Sequence, residues 1–147
     1  MVVPPSVGGG VGSRNVIAFN QGHGITVGGK LAVSNGLRFN SIFDNGGIGI
    51  DLNADGVTLP DPDDLDSGPN GLINQRLISY AESCGGQTFV GGLRYSGAGV
   101  FAHDLLANTT CDATGWGEGE THLDWFFTVR PSPGLYKFSH TMRGDLA

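Results

Sequence analysis

In the first third of the chain, short apolar runs of β-favouring residues are broken by asparagine and glycine at matched places. Asn15-Val-Ile-Ala-Phe-Asn20-Gln-Gly-His-Gly24-Ile-Thr-Val27 is echoed by Asn40-Ser-Ile-Phe-Asp-Asn45-Gly-Gly-Ile-Gly49-Ile-Asp-Leu52, an offset of 25 residues with no gap. A fixed period of roughly 20–50 residues marks a repeat array. With runs this short and punctuation this regular, the pattern predicts one coil of a parallel β-helix per period. Gly28-Gly29 and Asn35-Gly36 are turn signals between the copies, and residues 30–33 and 37–39 are the expected short strands. Asn15 with Asn40, and Asn20 with Asn45, hold matched repeat positions. Stacked asparagine side chains at a bend satisfy turn backbone in adjacent coils, so a structural role is expected for them.

The pattern changes further along. Residues 51–71 form a polar loop, and residues 72–80 are expected as a last strand closing the solenoid. Residues 87–95, 100–107, 122–129 and 135–142 alternate as strands do, with turns between them. Four strands at this spacing suggest a small antiparallel sheet or sandwich. No amphipathic helix is evident. If Cys84 faces Cys111 across an antiparallel pair, Phe89 faces Leu106 and Tyr95 faces Val100. The turn then falls at Gly97-Ala98, a pattern suited to a two-residue hairpin. This register predicts a Cys84–Cys111 disulfide and an oxidising compartment.

Composition narrows the function classes. The chain has 147 residues, 26 of them glycine, with a net charge of −6 and 8 lysines and arginines. An acidic chain this poor in basic residues repels a phosphate backbone, so no nucleic-acid partner is expected. No apolar run is long enough for a spanning helix, and membrane insertion is not expected. The first residues lack the basic and apolar regions of a signal peptide. A secreted parent would therefore carry its leader, and further coils, upstream of this chain.

The segment 40–52, with Asp55-Gly-Val-Thr58, the acidic loop and Gly68-Pro-Asn-Gly-Leu72, resembles the last coils of bacterial secreted right-handed parallel β-helix proteins. Such proteins often carry an N-terminal secretion domain of the so-called CSLREA type. Ala107-Asn-Thr-Thr-Cys-Asp-Ala-Thr-Gly-Trp-Gly-Glu-Gly-Glu-Thr121 resembles the small β-sandwich that commonly follows. The resemblance covers roughly residues 8–142 and implies a secreted or cell-surface protein. Family members usually have many coils, where this chain has about two. The expected fold class is all-β: a short right-handed parallel β-helix, residues 1–80, followed by a small antiparallel β-sandwich-like domain, residues 81–147.

Chemistry concentrates in the acidic loop. Six of the chain's 14 acidic residues lie between Asp51 and Asp66. Asp51-x-Asn53-x-Asp55-Gly56 equals the first half of an EF-hand-type calcium loop, with Pro62 where the twelfth-position glutamate belongs. Asp61, Asp63, Asp64 or Asp66 would complete the oxygen set for Ca2+. The competing reading is a solvated acidic turn. Asp44, Asp51, Glu118 and Glu120 are the candidate catalytic carboxylates, because glycoside hydrolysis needs a pair of them. Trp116 and Trp125 are candidates for stacking on sugar rings. The alternative for Trp125 is that it shares one strand face with Phe127 and fills the core. Histidine and aspartate spacings at 103–104 and 122–124 match no zinc pattern.

These readings lead to a non-catalytic extracellular structural or adhesive module, stabilised by calcium. The alternative is a carbohydrate-active protein, a polysaccharide-acting hydrolase or lyase or a binding module. A polysaccharide or cell-surface glycan is the expected partner. A short solenoid also leaves a stack end with free strand edges. Self-association into a homo-oligomer through that end is expected, or a cap formed by residues 1–13.

Overall fold

The computed structural model describes residues 6–7 and 14–146. Apart from Ser6 and Val7, residues 1–13 lie outside the described residues, and with them the cap expected there. The chain is all-β, with eleven strands and no α-helix among the described residues. It divides into two compact units. One comprises Met1–Thr58, Ser67–Leu72 and Asp104–Trp125; the other comprises Leu59–Asp66, Ile73–His103 and Phe126–Ala147.

The first unit is built from three parallel two-stranded ladders. β1 (Ser6–Val7) pairs with β4 (Gly36–Leu37), β2 (Val16–Ala18) with β5 (Ser41–Phe43), and β3 (Ile25–Val27) with β6 (Ile50–Leu52). The sequence repeat is the register of two of these ladders: Ile17 lies opposite Ile42, and Ile25 opposite Ile50. Backbone bonds between the copies keep the same offset, from Phe19 N–H to Asp44 C=O at 3.1 Å and from Gly47 N–H to Gly22 C=O at 3.0 Å. Even the strained turn repeats, because Phe19 and Asp44 both take positive φ, 60° and 52°. Among the described residues, Val27, Ile42, Ile48 and Leu105 are buried apolar side chains of this unit, and Pro69 is fully buried with them. Residues 30–33 do not form the expected strand. They turn, with Ala32 N–H donating to Gly29 C=O at 2.9 Å, and Leu31 is left 94% exposed.

The four later strands fall where the alternation placed them. β8 is Gln87–Ser96, β9 is Gly99–Ala107, β10 is Thr121–Arg130 and β11 is Gly134–Arg143. Their partners differ from expectation. β7 (Leu77–Cys84) runs antiparallel to β8 instead of closing the coils, and β11 takes the other edge of β8. β9 pairs with β10 in a separate two-stranded sheet. β7 and β8 are joined by Gly85 and Gly86, with φ of 62° and 74°. Positive φ at both turn residues suits a two-residue hairpin whose twist matches its strands. A bulge near Ser79 sits opposite Gly91 and Gly92. A Cβ on Gly92 would overlap the Leu77 carbonyl, so the bulged strand depends on that missing side chain.

This topology overturns the disulfide. Cys84 ends β7 opposite Gln87, with both edges of β8 already taken by β7 and β11, so no Cys84–Cys111 register exists. Both cysteines are free and exposed. Both thiols should therefore be alkylated in the folded, unreduced protein. Intact mass showing two added groups per chain is the expected result, and an unreactive pair would contradict it.

Glycines set the clearance between the stacked copies. A Cβ on Gly46 would run into the backbone carbonyl of Gln21, whereas one on Gly22 meets nothing within 4 Å. Backbone cannot yield as a flexible side chain does. Gly46→Ala is expected to destabilise by about 1–3 kcal/mol and Gly22→Ala by well under 1 kcal/mol. Denaturant melts of the two variants check this, and equal effects would count against the stacking.

Candidate functional site

Asparagine rungs in the first unit position the site. Asn20 donates from its backbone N–H and from Nδ2 to Asn45 Oδ1, at 3.1 and 2.7 Å. Asn45 repeats the same two donations one step on, to Glu118: N–H to Oε2 at 3.1 Å and Nδ2 to Oε1 at 2.9 Å. A carboxylate accepts but cannot donate, so Glu118 ends the ladder. The segment around it adds bonds to the second copy. Ile42 N–H donates to Gly119 C=O at 3.0 Å and Ser41 Oγ to Glu120 C=O at 2.6 Å. Gly49 makes room, since a Cβ there would stand 2.8 Å from the Glu118 backbone.

This arrangement brings three of the four candidate catalytic carboxylates together. Asp44, Glu118 and Glu120 line a cleft of about 100 Å³ with Phe43, Thr109 and Asp112. A shallower groove of about 530 Å³ shares Asp44 and Asp112 and adds Phe19, Asn20 and Gln21. Phe19 is 75% exposed and meets Phe43 edge to face at 5.7 Å. Asp112, which sequence reading missed, comes from the loop after β9; its only sequence signal is its place in an Asn-, Thr- and Asp-rich stretch.

Most of these carboxylates are already engaged. Glu120 accepts the Thr109 N–H at 3.0 Å and Oγ1–H at 2.8 Å, and these two bonds hold its carboxyl below the usual glutamate range. Asp112 accepts the Thr114 Oγ1–H and, at 2.7 Å, its N–H, and is held low by them in that order. General-acid catalysis wants a raised carboxyl, as burial or a like charge produces. Glu120 and Asp112 are shifted the opposite way. Asp44 is exposed, and no hydrogen bond to its carboxylate is found among the described residues.

Asp51, the fourth candidate, is elsewhere and fully buried. Its Oδ2 meets His23 Nε2 at 3.1 Å, and the Gly56 N–H points at both oxygens, at 3.3 and 3.4 Å. His23 Nδ1 accepts the Ile48 N–H at 3.1 Å, which assigns the ring proton to Nε2, facing Asp51. Gly47 leaves the space that this ring fills. Asn53 donates to Asp55 Oδ2 at 2.9 Å. Within the half-loop read as a calcium motif, Asn53, Ala54 and Gly56 take positive φ.

The other expected metal ligands belong to the second unit. Asp61, Asp64 and Asp66 place one oxygen each within 4.8 Å of one another. Asp63 is outside that group and takes φ 65°. Asp61 Oδ1 is buried with no hydrogen-bond partner, which suits a cation. Two other oxygens take backbone donors: Leu65 N–H on Asp61 Oδ2 at 3.1 Å and Asn74 N–H on Asp64 Oδ1 at 2.8 Å. Burial, then repulsion from Asp61 and Asp64, raises the Asp66 carboxyl. A bound cation would relieve that repulsion.

The tryptophans are not core. Trp125 is 45% exposed and Phe127 63% exposed, because β10 turns His122, Asp124, Phe126, Thr128 and Arg130 to its more covered face. The Arg38 guanidinium lies over the Trp125 ring at 5.3 Å, while its Nε and Nη2 hold Asp104 Oδ1 at 3.2 and 2.5 Å. Trp116 is half-buried, its N–H donating to Thr114 Oγ1 at 3.2 Å. Comparison with known protein families, curated proteins and solved structures gives no match to this chain.

Thr109→Val removes one of the two bonds to Glu120. The Glu120 carboxyl should then titrate higher than in the parent, yet still below an ordinary glutamate. A lowered carboxyl contributes stability above its unfolded pKa, and loses it as pH falls through the folded one. The loss starts at the same unfolded pKa in both proteins, so in the variant it should be smaller and should end at higher pH. Carboxyl carbon NMR across pH 2–6 (roughly one unit beyond the ordinary range on each side) reads the site directly; an unmoved titration would refute the assignment.

Proposed function

We propose that this chain is a non-catalytic extracellular structural or adhesive module: the closing coils of a right-handed parallel β-helix of a secreted bacterial protein, with a small β-sandwich-like domain. The observation that carries the reading is the use made of Glu118. The carboxylate at the heart of the cleft terminates a ladder of side chains instead of facing open solvent as an acid or base. Glu120 and Asp51 are likewise engaged in holding backbone. The parallel ladders at the repeat offset support coils, and the chain's low charge and high glycine suit a secreted β protein. Calcium at Asp61, Asp64 and Asp66 would stabilise the second unit, with water supplying the remaining ligands that six- to eight-fold coordination asks for.

A carbohydrate-active role is the second reading. It rests on the cleft and groove around Asp44, where exposed Phe19 and half-buried Phe43 stand beside carboxylates and threonine hydroxyls. Apolar ring faces next to hydrogen-bonding groups are what a sugar recognises.

Two measurements separate these readings. Incubation with plant, algal and bacterial polysaccharides in the presence of calcium should release no new reducing ends and no unsaturated products. Release that disappears in Asp44→Ala or Glu120→Ala would make the protein an enzyme. Calcium at ten times its dissociation constant should stabilise by about 1.4 kcal/mol over EDTA. The gain should vanish in Asp61→Asn, and a melting temperature indifferent to calcium would remove the metal from the proposal.

A further inference from the structure

The second unit carries three arginines toward its interior, and one of them lacks what an arginine needs. Arg94, on the central strand β8, is 4% exposed. Its Nε and Nη2 are both buried and have no hydrogen-bond partner. Arg76 has one edge on His103, with Nε donating to Nδ1 at 2.9 Å, but its Nη1 is buried without a partner. Leaving charged donors dry and unpaired is costly, and burial is the first cause pushing the Arg76 guanidinium down to about 10. Arg94 and then Arg130 add like-charge repulsion.

Ring faces cover the flat sides of these groups. Arg94 lies over Phe101 at 4.4 Å, Arg76 over Phe138 at 4.2 Å, and Arg130 over Tyr136 at 4.3 Å. Only the edges remain. Asp64 is the carboxylate that acts on Arg94 through its charge, but its two oxygens accept the N–H groups of Asn74 and Gly97, at 2.8 and 3.4 Å. The chain itself shows what this edge takes when satisfied. The Nε/Nη2 edge of Arg38 holds the Asp104 carboxylate. Parallel N–H groups on a planar fork match the two oxygens of a carboxylate or phosphate.

We propose that this unit binds a small oxyanion, a carboxylate or a phosphate, on the Nε/Nη2 edge of Arg94, with Arg76 Nη1 as a further donor and Arg130 adding positive charge. These donors are buried and claimed by no protein acceptor, so an oxyanion seated on them meets charged N–H groups free to bond it. The proposal concerns residues apart from the acidic cleft, and it stands or falls independently of the function proposed above.

The experiment is a thermal melt of the whole chain in sodium phosphate, sodium sulfate or sodium acetate, each against sodium chloride at the same ionic strength. Phosphate and sulfate raising the melting point saturably identifies a tetrahedral oxyanion, and acetate doing so identifies a carboxylate. Arg94→Lys keeps the charge and loses the fork, so the apparent affinity should drop at least tenfold. Arg76→Lys should weaken binding severalfold and serves if the first variant does not fold, while Arg38→Lys should leave the response intact. No anion exceeding chloride would overturn the proposal, as would a response that survives in Arg94→Lys or, where that variant does not fold, in Arg76→Lys.

Discussion

Everything in the first unit depends on how a ladder of paired repeat copies is brought to an end. Each rung of the ladder from Asn20 to Asn45 uses an amide that both accepts and donates, so each rung creates a demand for another acceptor. Repeating asparagine passes that demand on without removing it. Glu118 removes it, because an ionised carboxylate takes the backbone N–H and the Nδ2–H of Asn45 and has nothing left to donate. The substitution of an acid for an amide at the last rung converts a propagating pattern into a terminated one. The Ile42 and Ser41 bonds to Gly119 and Glu120 extend the same covering along the strand.

The cleft follows from this termination. Bringing Glu118 against the second copy requires Gly49 to lack a side chain, just as Gly24 does in the first copy, where a Cβ would stand 2.5 Å from Ile42 Cγ2. The loop that delivers Glu118 and Glu120 then folds over Asp44 and Phe43, and Thr109 and Thr114 tie its carboxylates down. Of the acids around this cleft, Glu118, Glu120 and Asp112 are engaged by amides and hydroxyls, while Asp44 is exposed. The same bonds hold the Glu120 and Asp112 carboxyls below their usual range.

What was legible in the sequence was whatever repeats in register or alternates along one strand. The 25-residue offset translated directly into the pairing of Val16 with Ser41 and of Ile25 with Ile50. The four later strands were visible from alternation. A further asparagine pair was not: Asn35 donates its N–H to Asn70 Oδ1 at 2.8 Å across 35 positions, because the acidic segment interrupts the period. Most of that insertion, Leu59–Asp66, belongs to the other unit. The cysteine register failed for a different reason. A short Gly-containing link between β8 and β9 reads as a hairpin, but nothing local reveals that β7 and β11 occupy both edges of β8. Strand existence is a local property, while choice of partner is not.

β10 shows the same limit in its polarity. Alternation told which residues share a face but not which face is inside. Leu123, Trp125, Phe127 and Val129 lie on the exposed side, and Phe126 and Arg130 on the other. A rule that sends apolar residues inward would invert this strand. In the second unit Phe126 stacks on His140 at 4.4 Å and lies under Arg76 at 5.2 Å, so its ring serves as a platform for cations and imidazoles. Aromatic faces are the one apolar surface that attracts a guanidinium, and they let an interior rich in arginine hold together where an aliphatic one would not. Such rings satisfy charge only through their faces, and hydrogen-bond donors lie in the guanidinium edge. The aromatic packing that makes the buried arginines tolerable is therefore also what leaves the Arg94 edge unanswered by the protein itself.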